Sequence, residues 1–147
     1  MSRALAVVLG AGAGGLVAMQ APINSRLGRT VGAVQAATFS FLVGTAALVA
    51  ISFVLRGGLG SFGRVGNVPW WALVGGLLGA VYVFVALEAV RRLGATGLTA
   101  AVITGQLTMS LIVDRFGLVG VARTPISLQR VLGVVLLIAG VALVVRK

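Results

Sequence analysis

Gly14-Gly15-Leu16-Val17-Ala18-Met19-Gln20-Ala21-Pro22-Ile23-Asn24 is the stretch whose reading decides this fold. What precedes it is apolar and small, and then two amides and a proline fall within five residues. Gln20 and Asn24 are four apart, so on a continuous helix they share one face. Pro22 has no N–H to give the Ala18 carbonyl, which loosens the helix there. In water this is a minor kink. In a bilayer, a freed carbonyl and two amides need partners from other helices or from trapped water. The stretch reads as one wall of a polar path through an apolar protein.

The composition sets that wall in a membrane. Of 147 residues, 59 % are hydrophobic, and the 22 glycines bring apolar content to roughly three quarters, against about 45–50 % in soluble domains. Twelve basic and two acidic residues are too few charges to cover a soluble fold of this size. The net charge of +10 raises nucleic acid as a partner, but the arginines stand singly or in pairs at the ends of apolar runs. Anionic lipid headgroups explain that placement better. With no cysteine and no histidine, disulfides, thiol nucleophiles and Cys or His metal sites are excluded, and no cofactor is expected.

Five membrane spans are expected, at 4–27, 33–55, 70–90, 94–113 and 127–145, in a single transmembrane domain covering 1–147. Ala4 to Ala21 carries no charge over 18 residues, enough with a continuation to Leu27 to cross a ~30 Å core. A secretory signal peptide is the competing reading of Arg3 plus an apolar run, but Ala18 to Pro22 makes a poor cleavage site. Gly10 and Gly14 permit close helix contact. Leu27 to Gly32 reads as a short turn. In the second span Gln35, Thr38, Thr45 and Ser52 fall on one stripe. Either they line a path or the hydroxyls bond back to their own helix carbonyls, a solution Gln35 lacks. Arg56 to Pro69 reads as a glycine-rich flexible connector, and Trp70-Trp71 as headgroup-level residues opening the third span. Tyr82 and Glu88 are that span's polar members. The fourth is the most polar, with Thr96, Thr99, Gln106 and Ser110 on one stripe. Thr124-Pro125 looks like an N-cap and first helical position for the fifth, and Arg146-Lys147 like a terminal anchor.

An odd number of spans puts the termini on opposite sides of the membrane. One side then holds Arg3, Arg56, Arg64, Arg115, Arg123 and Arg130, and the other Arg26, Arg29, Arg91, Arg92, Arg146 and Lys147. Orientation follows the bias of Lys and Arg between sides, and here there is none. A balanced chain inserts both ways up, and two opposed copies form an antiparallel homodimer. That dimer has the inverted symmetry that larger transporters build within one chain. The alternative is a misplaced span boundary or a partner that templates one orientation.

Of the two acids, Glu88 has Arg91 and Arg92 three and four residues on. It reads either as an intramembrane functional acid or as a structural ion pair. Asp114 stands beside Arg115 at a helix end. A buried amide without partners costs roughly 2–7 kcal/mol, so Gln20 and Gln106 either bond one another across helices or face a substrate. There is no histidine base, paired carboxylate or activated nucleophile, so no enzyme is expected.

Ala18-Met19-Gln20-Ala21-Pro22-Ile23-Asn24-Ser25-Arg26-Leu27-Gly28 resembles the first-helix motif of the YdcZ-like branch of the drug/metabolite transporter superfamily. Ser40-Phe41-Leu42-Val43-Gly44-Thr45, Trp70 to Ala80, and Gly105-Gln106-Leu107 resemble its later motifs. Arg130 to Val141 is similar to the superfamily's closing helix. The resemblance implies a five-helix bacterial inner-membrane protein of a branch that occurs as single chains, gene pairs and fused chains. Related small multidrug-resistance proteins carry a glutamate in the middle of their first helix, where this chain has Leu16, Val17 and Ala18. Proton-coupled export by their mechanism is therefore not expected. The expectation is an all-α membrane protein of five helices that transports a small solute as an antiparallel homodimer. Gln20, Asn24, Gln35, Tyr82, Gln106 and Glu88 would line its cavity. A passive channel for a small ion and a non-transporting assembly protein are the alternatives.

Overall fold

The structure, a computed structural model, describes residues 1–145, Arg56 by its backbone alone; the expected Arg146-Lys147 anchor lies outside the described residues. Those residues are helical without a strand. Helix α1 (Arg3–Val31) opens on Ser2, whose Oγ accepts from the Leu5 N–H at 3.2 Å. It runs straight through the turn expected at Leu27 to Gly32, because nothing before Gly32 breaks it. Its 29 residues measure about 43 Å, more than a ~30 Å core. Arg26 and Arg29 therefore sit on the last turns of a helix, where cations complement the macrodipole.

Gly32 alone joins α1 to α2 (Ala33–Arg56). Its φ of 92° and ψ of 156° lie where only glycine is at ease. Its N–H donates to the Gly28 carbonyl and its own carbonyl accepts from the Ala36 N–H, both at 3.0 Å. Helix α2 closes on Gly57 in the left-handed region, with φ 70°, the usual device for stopping a helix. The expected flexible connector then turns out to carry a 3₁₀ helix over Gly60–Asn67, followed by a second over Trp70–Leu73.

Helix α3 (Gly75–Phe116) has 42 residues and a break at Gly94, with φ 70° and ψ 171°. The apolar stretch around it, Trp70–Phe116, is 47 residues long, which unbroken would reach about 70 Å, more than twice a bilayer core. The break divides it into two arms that correspond to the expected third and fourth spans. Helix α4 (Leu128–Val145) follows. Its cap is Ser127 rather than the expected Thr124: the Ser127 Oγ and carbonyl accept from the Arg130 N–H at 3.3 and 3.0 Å. Thr124 instead gives its N–H to the Asp114 carbonyl at 2.8 Å, which holds it in the connection before α4. Among the described residues, four stretches are long and apolar enough to cross a membrane: Arg3–Val31, Ala33–Leu55, Trp70–Phe116 and Leu128–Val145.

The chain forms two compact units, Met1–Glu88 and Ala89–Lys147. In the first, α1 packs on α2. The buried face of α1 is Ala21, Asn24, Ser25 and Gly28, the 0, 3, 4, 7 spacing of one helical stripe. On α2, Ala36 and Ala37 are buried. Small side chains let the two backbones approach closely, which is what holds helices together where lipid is as apolar as leucine. Further along, the Phe41 ring covers Gly79, its Cζ lying 3.3 Å from where a Cβ would stand. In the second unit, Gly97 gives similar room to the Val145 side chain of α4.

Candidate neutral polar face of the first helix pair

Among the described residues two polar side chains are buried, Asn24 and Ser25, 6 % and 5 % exposed. Both lie on the stripe of α1 that faces α2, just beyond the proline that frees the Ala18 carbonyl. The Asn24 Nδ2 donates to the Ser40 Oγ of α2 at 3.1 Å. Ser25 also has a partner. Gln20, one turn before Asn24, is half-buried, and among the described residues no group hydrogen-bonds its amide. The site is thus a set of uncharged donors and acceptors inside an apolar bundle. It can exchange hydrogen bonds with a solute, and it has no charge of its own to transfer a proton.

The other expected residues fall elsewhere. Gln35 is exposed at the start of α2. Of its stripe mates, Ser52 donates its Oγ forward to the Gly58 carbonyl, past the end of α2, at 3.0 Å, while Thr38 follows the back-bonding alternative, its Oγ1 donating to the Val34 carbonyl at 2.9 Å. On the second arm of α3, Thr104 and Thr108 bond back in the same way, toward Ala100 and Thr104. Tyr82 is half-buried on the first arm. Glu88 is half-buried and engaged with a partner. Gln106, expected deep inside, belongs to the second unit and is exposed on the surface of the single chain.

Two hollows accompany these elements. A groove of about 520 Å³ in the first unit is lined by Thr38, Phe41 and Thr45 of α2 and by Ala80, Val81 and Phe84 of α3. A smaller one of about 270 Å³ in the second unit has Ser110, Asp114 and Arg130 at its edge. There the Arg130 Nη1 and Asp114 Oδ2 are 3.1 Å apart, with both side chains substantially solvated. Sequence reasoning passed over Ser40 and Ser25. The signal for Ser40 was present, since Ala33, Ala36, Ala37, Ser40 and Gly44 form a stripe of small residues on α2. A search for polar periodicity does not see it. Among the described residues no group of three or more carboxylates, imidazoles or thiols gathers to hold a metal.

Several bilayer-length apolar helices, two of them closing on a neutral polar face, define a multi-pass integral membrane protein. Residues 5–143 match the model of the family described as "Putative inner membrane exporter, YdcZ". The Inner membrane protein YdcZ of Escherichia coli (strain K12) is 31 % identical over 147 residues, covering 99 % of this chain and 97 % of that protein. The chain belongs to this YdcZ family, whose description is that of an exporter and not of an enzyme, and is a multi-pass inner-membrane protein. No solved structure matches it.

Proposed function

We propose that the chain is a small-solute transporter of the drug/metabolite transporter type, with five crossings per copy and two opposed copies per working unit. The observation that carries the reading is the Asn24–Ser40 hydrogen bond, a buried neutral contact on the proline-bearing face of α1. Interhelical hydrogen bonds in bilayers average only about 0.6 kcal/mol, so structural glue is a weak reason to bury an asparagine and seat Gln20 one turn away. A solute that exchanges hydrogen bonds with this face is a stronger one.

Two further observations support a second copy. The first turns of α1 are exposed, and a Cβ built on Gly10, Gly12, Gly14 or Gly15 meets nothing within 4 Å. These glycines leave room for another helix at close approach. Gln106 lies on the surface of the single chain, where lipid offers its amide no partner and an opposed copy does. Gln20, Asn24, Tyr82, Gln106 and Glu88 would then border one cavity, with Gln35 near its mouth.

The test is reconstitution. Thermal-shift screening of purified protein against metabolite and cation libraries identifies a ligand, because binding to the folded state alone raises apparent stability. Uptake of that ligand into liposomes should saturate, show counterflow and fall sharply in Gln20→Ala with Asn24→Leu. Conductance without saturation would indicate a channel, and neither activity an assembly protein.

A further inference from the structure

The connection between α2 and α3 carries a pattern of its own. Leu59-Gly60-Ser61, Phe62-Gly63-Arg64 and Val65-Gly66-Asn67 are three successive triplets of apolar, glycine and polar residues, and Val68 begins a fourth. The backbone over Gly60–Asn67 is a 3₁₀ helix, whose three residues per turn eclipse side chains at i and i+3. Sequence period and helix period coincide. The result is three parallel ridges: an apolar one (Leu59, Phe62, Val65, Val68), a bare one of glycines, and a polar one (Ser61, Arg64, Asn67).

Every residue of the 3₁₀ helix Gly60–Asn67 is exposed, and only Leu59 at its start is half-buried. Phe62 is 64 % exposed and Val65 42 %, and a Cβ on Gly60, Gly63 or Gly66 meets nothing within 4 Å. A run of eight residues exceeds the three or four usual for a 3₁₀ helix, and glycine is the costliest residue to order. In water there is little to hold such a segment. Its position supplies what does. The apolar stretch Ala33–Leu55 ends just before it and Trp70–Phe116 begins just after it, so both ends are tethered at one face of the bilayer. Trp70 and Trp71, 77 % and 46 % exposed, follow at once, and exposed tryptophans at a span end belong at headgroup depth.

We infer that residues 59–71 are an in-plane membrane anchor, seated on the leaflet that α2 and α3 enter. The apolar ridge and Trp70-Trp71 sink to the acyl-chain boundary, and Ser61, Arg64 and Asn67 point into the headgroups. Arg64 meets lipid phosphate there. The anchor does not depend on the transport reading. It fixes the depth and direction at which α2 leaves and α3 begins.

The chain has no cysteine, so single cysteines report cleanly. Nitroxides are placed one at a time by Leu59→Cys, Ser61→Cys, Phe62→Cys, Arg64→Cys, Val65→Cys, Asn67→Cys and Val68→Cys. The full chain is reconstituted in vesicles of three parts phosphatidylethanolamine to one part phosphatidylglycerol. Collision with lipid-soluble oxygen should be several-fold higher at 59, 62, 65 and 68, and collision with a water-soluble nickel chelate several-fold higher at 61, 64 and 67. Adding Phe62→Ser should flatten the contrast at 65 and 68. Uniform water access, a 3.6-residue period, or an unchanged pattern with Phe62→Ser would overturn the inference. So would an apolar ridge shielded from both reagents, which would mean that a protein surface covers it.

Discussion

The Asn24 amide of α1 donates to the Ser40 hydroxyl of α2 at 3.1 Å, and through it the two longest uninterrupted helices of the first unit share a polar contact that is buried on the Asn24 side and half-buried at Ser40. Removing one partner of a buried hydrogen bond leaves the other unsatisfied, at a cost of about 1–3 kcal/mol. Removing both with shape kept is milder. Asn24→Leu should therefore destabilise the protein more than Asn24→Leu with Ser40→Ala. A double-mutant cycle in detergent unfolding should give a favourable coupling of about 0.6 kcal/mol, the mean for bilayer hydrogen bonds, and no more than about 1.7. A coupling of zero would mean that the contact is not made in the folded protein.

Gly32 is the one-residue link between those helices at φ 92°. Gly32→Ala should lower stability by about 1–3 kcal/mol, the usual cost of such backbone strain. Its new Cβ would also stand 2.6 Å from the Gln35 Oε1. That second effect is cheap, because the amide end can swing away. Gly32→Ala with Gln35→Ala should consequently melt near Gly32→Ala alone, and a full rescue would shift the blame from backbone to side chain.

The Asp114–Arg130 pair spans 3.1 Å between side chains that are 34 % and 44 % exposed. Solvated pairs contribute about 0–1 kcal/mol and weaken with salt. Asp114→Asn should move the melting temperature by a few degrees at most at low salt, and by less at high salt. The exchange Asp114→Arg with Arg130→Asp should recover what either single change loses.

Phe41 lies over Gly79 with its Cζ 3.3 Å from the missing Cβ. Gly79→Ala should be tolerated with a small loss, since a ring edge can shift by a few tenths of an ångström. Gly79→Leu should push α2 off α3 and lose about 1–3 kcal/mol by overpacking, measurable in the same unfolding assay.

What could be read beforehand was whatever depends on one helix at a time. Bilayer-length apolar runs, the break after the third span and the need of the Asn24 amide for a partner follow from length, glycine and proline. Features that depend on a neighbour were harder. Gln106 was expected inside because an amide in lipid is costly, yet a single chain leaves it outside. Ser40 hid in a small-residue stripe because its partner, not its period, makes it polar. Leu27 to Gly32 reads as a short turn, whereas α1 runs on to Val31 through Gly28. That glycine stays helical and buried, serving close packing against α2. Gly60 to Asn67 reads as a flexible connector from its glycines, and its three-residue repeat gains meaning only from the 3₁₀ backbone.

The reading of two opposed copies rests on the six-against-six division of arginine and lysine that five crossings would give. A reporter fused after Lys147 tests it most directly. Alkaline phosphatase is active only in the periplasm, and a fluorescent protein exported unfolded is bright only in the cytoplasm. Both fusions should be active at comparable levels in the same strain, because half of the chains place that end on each side. Activity of one fusion and silence of the other would contradict the account.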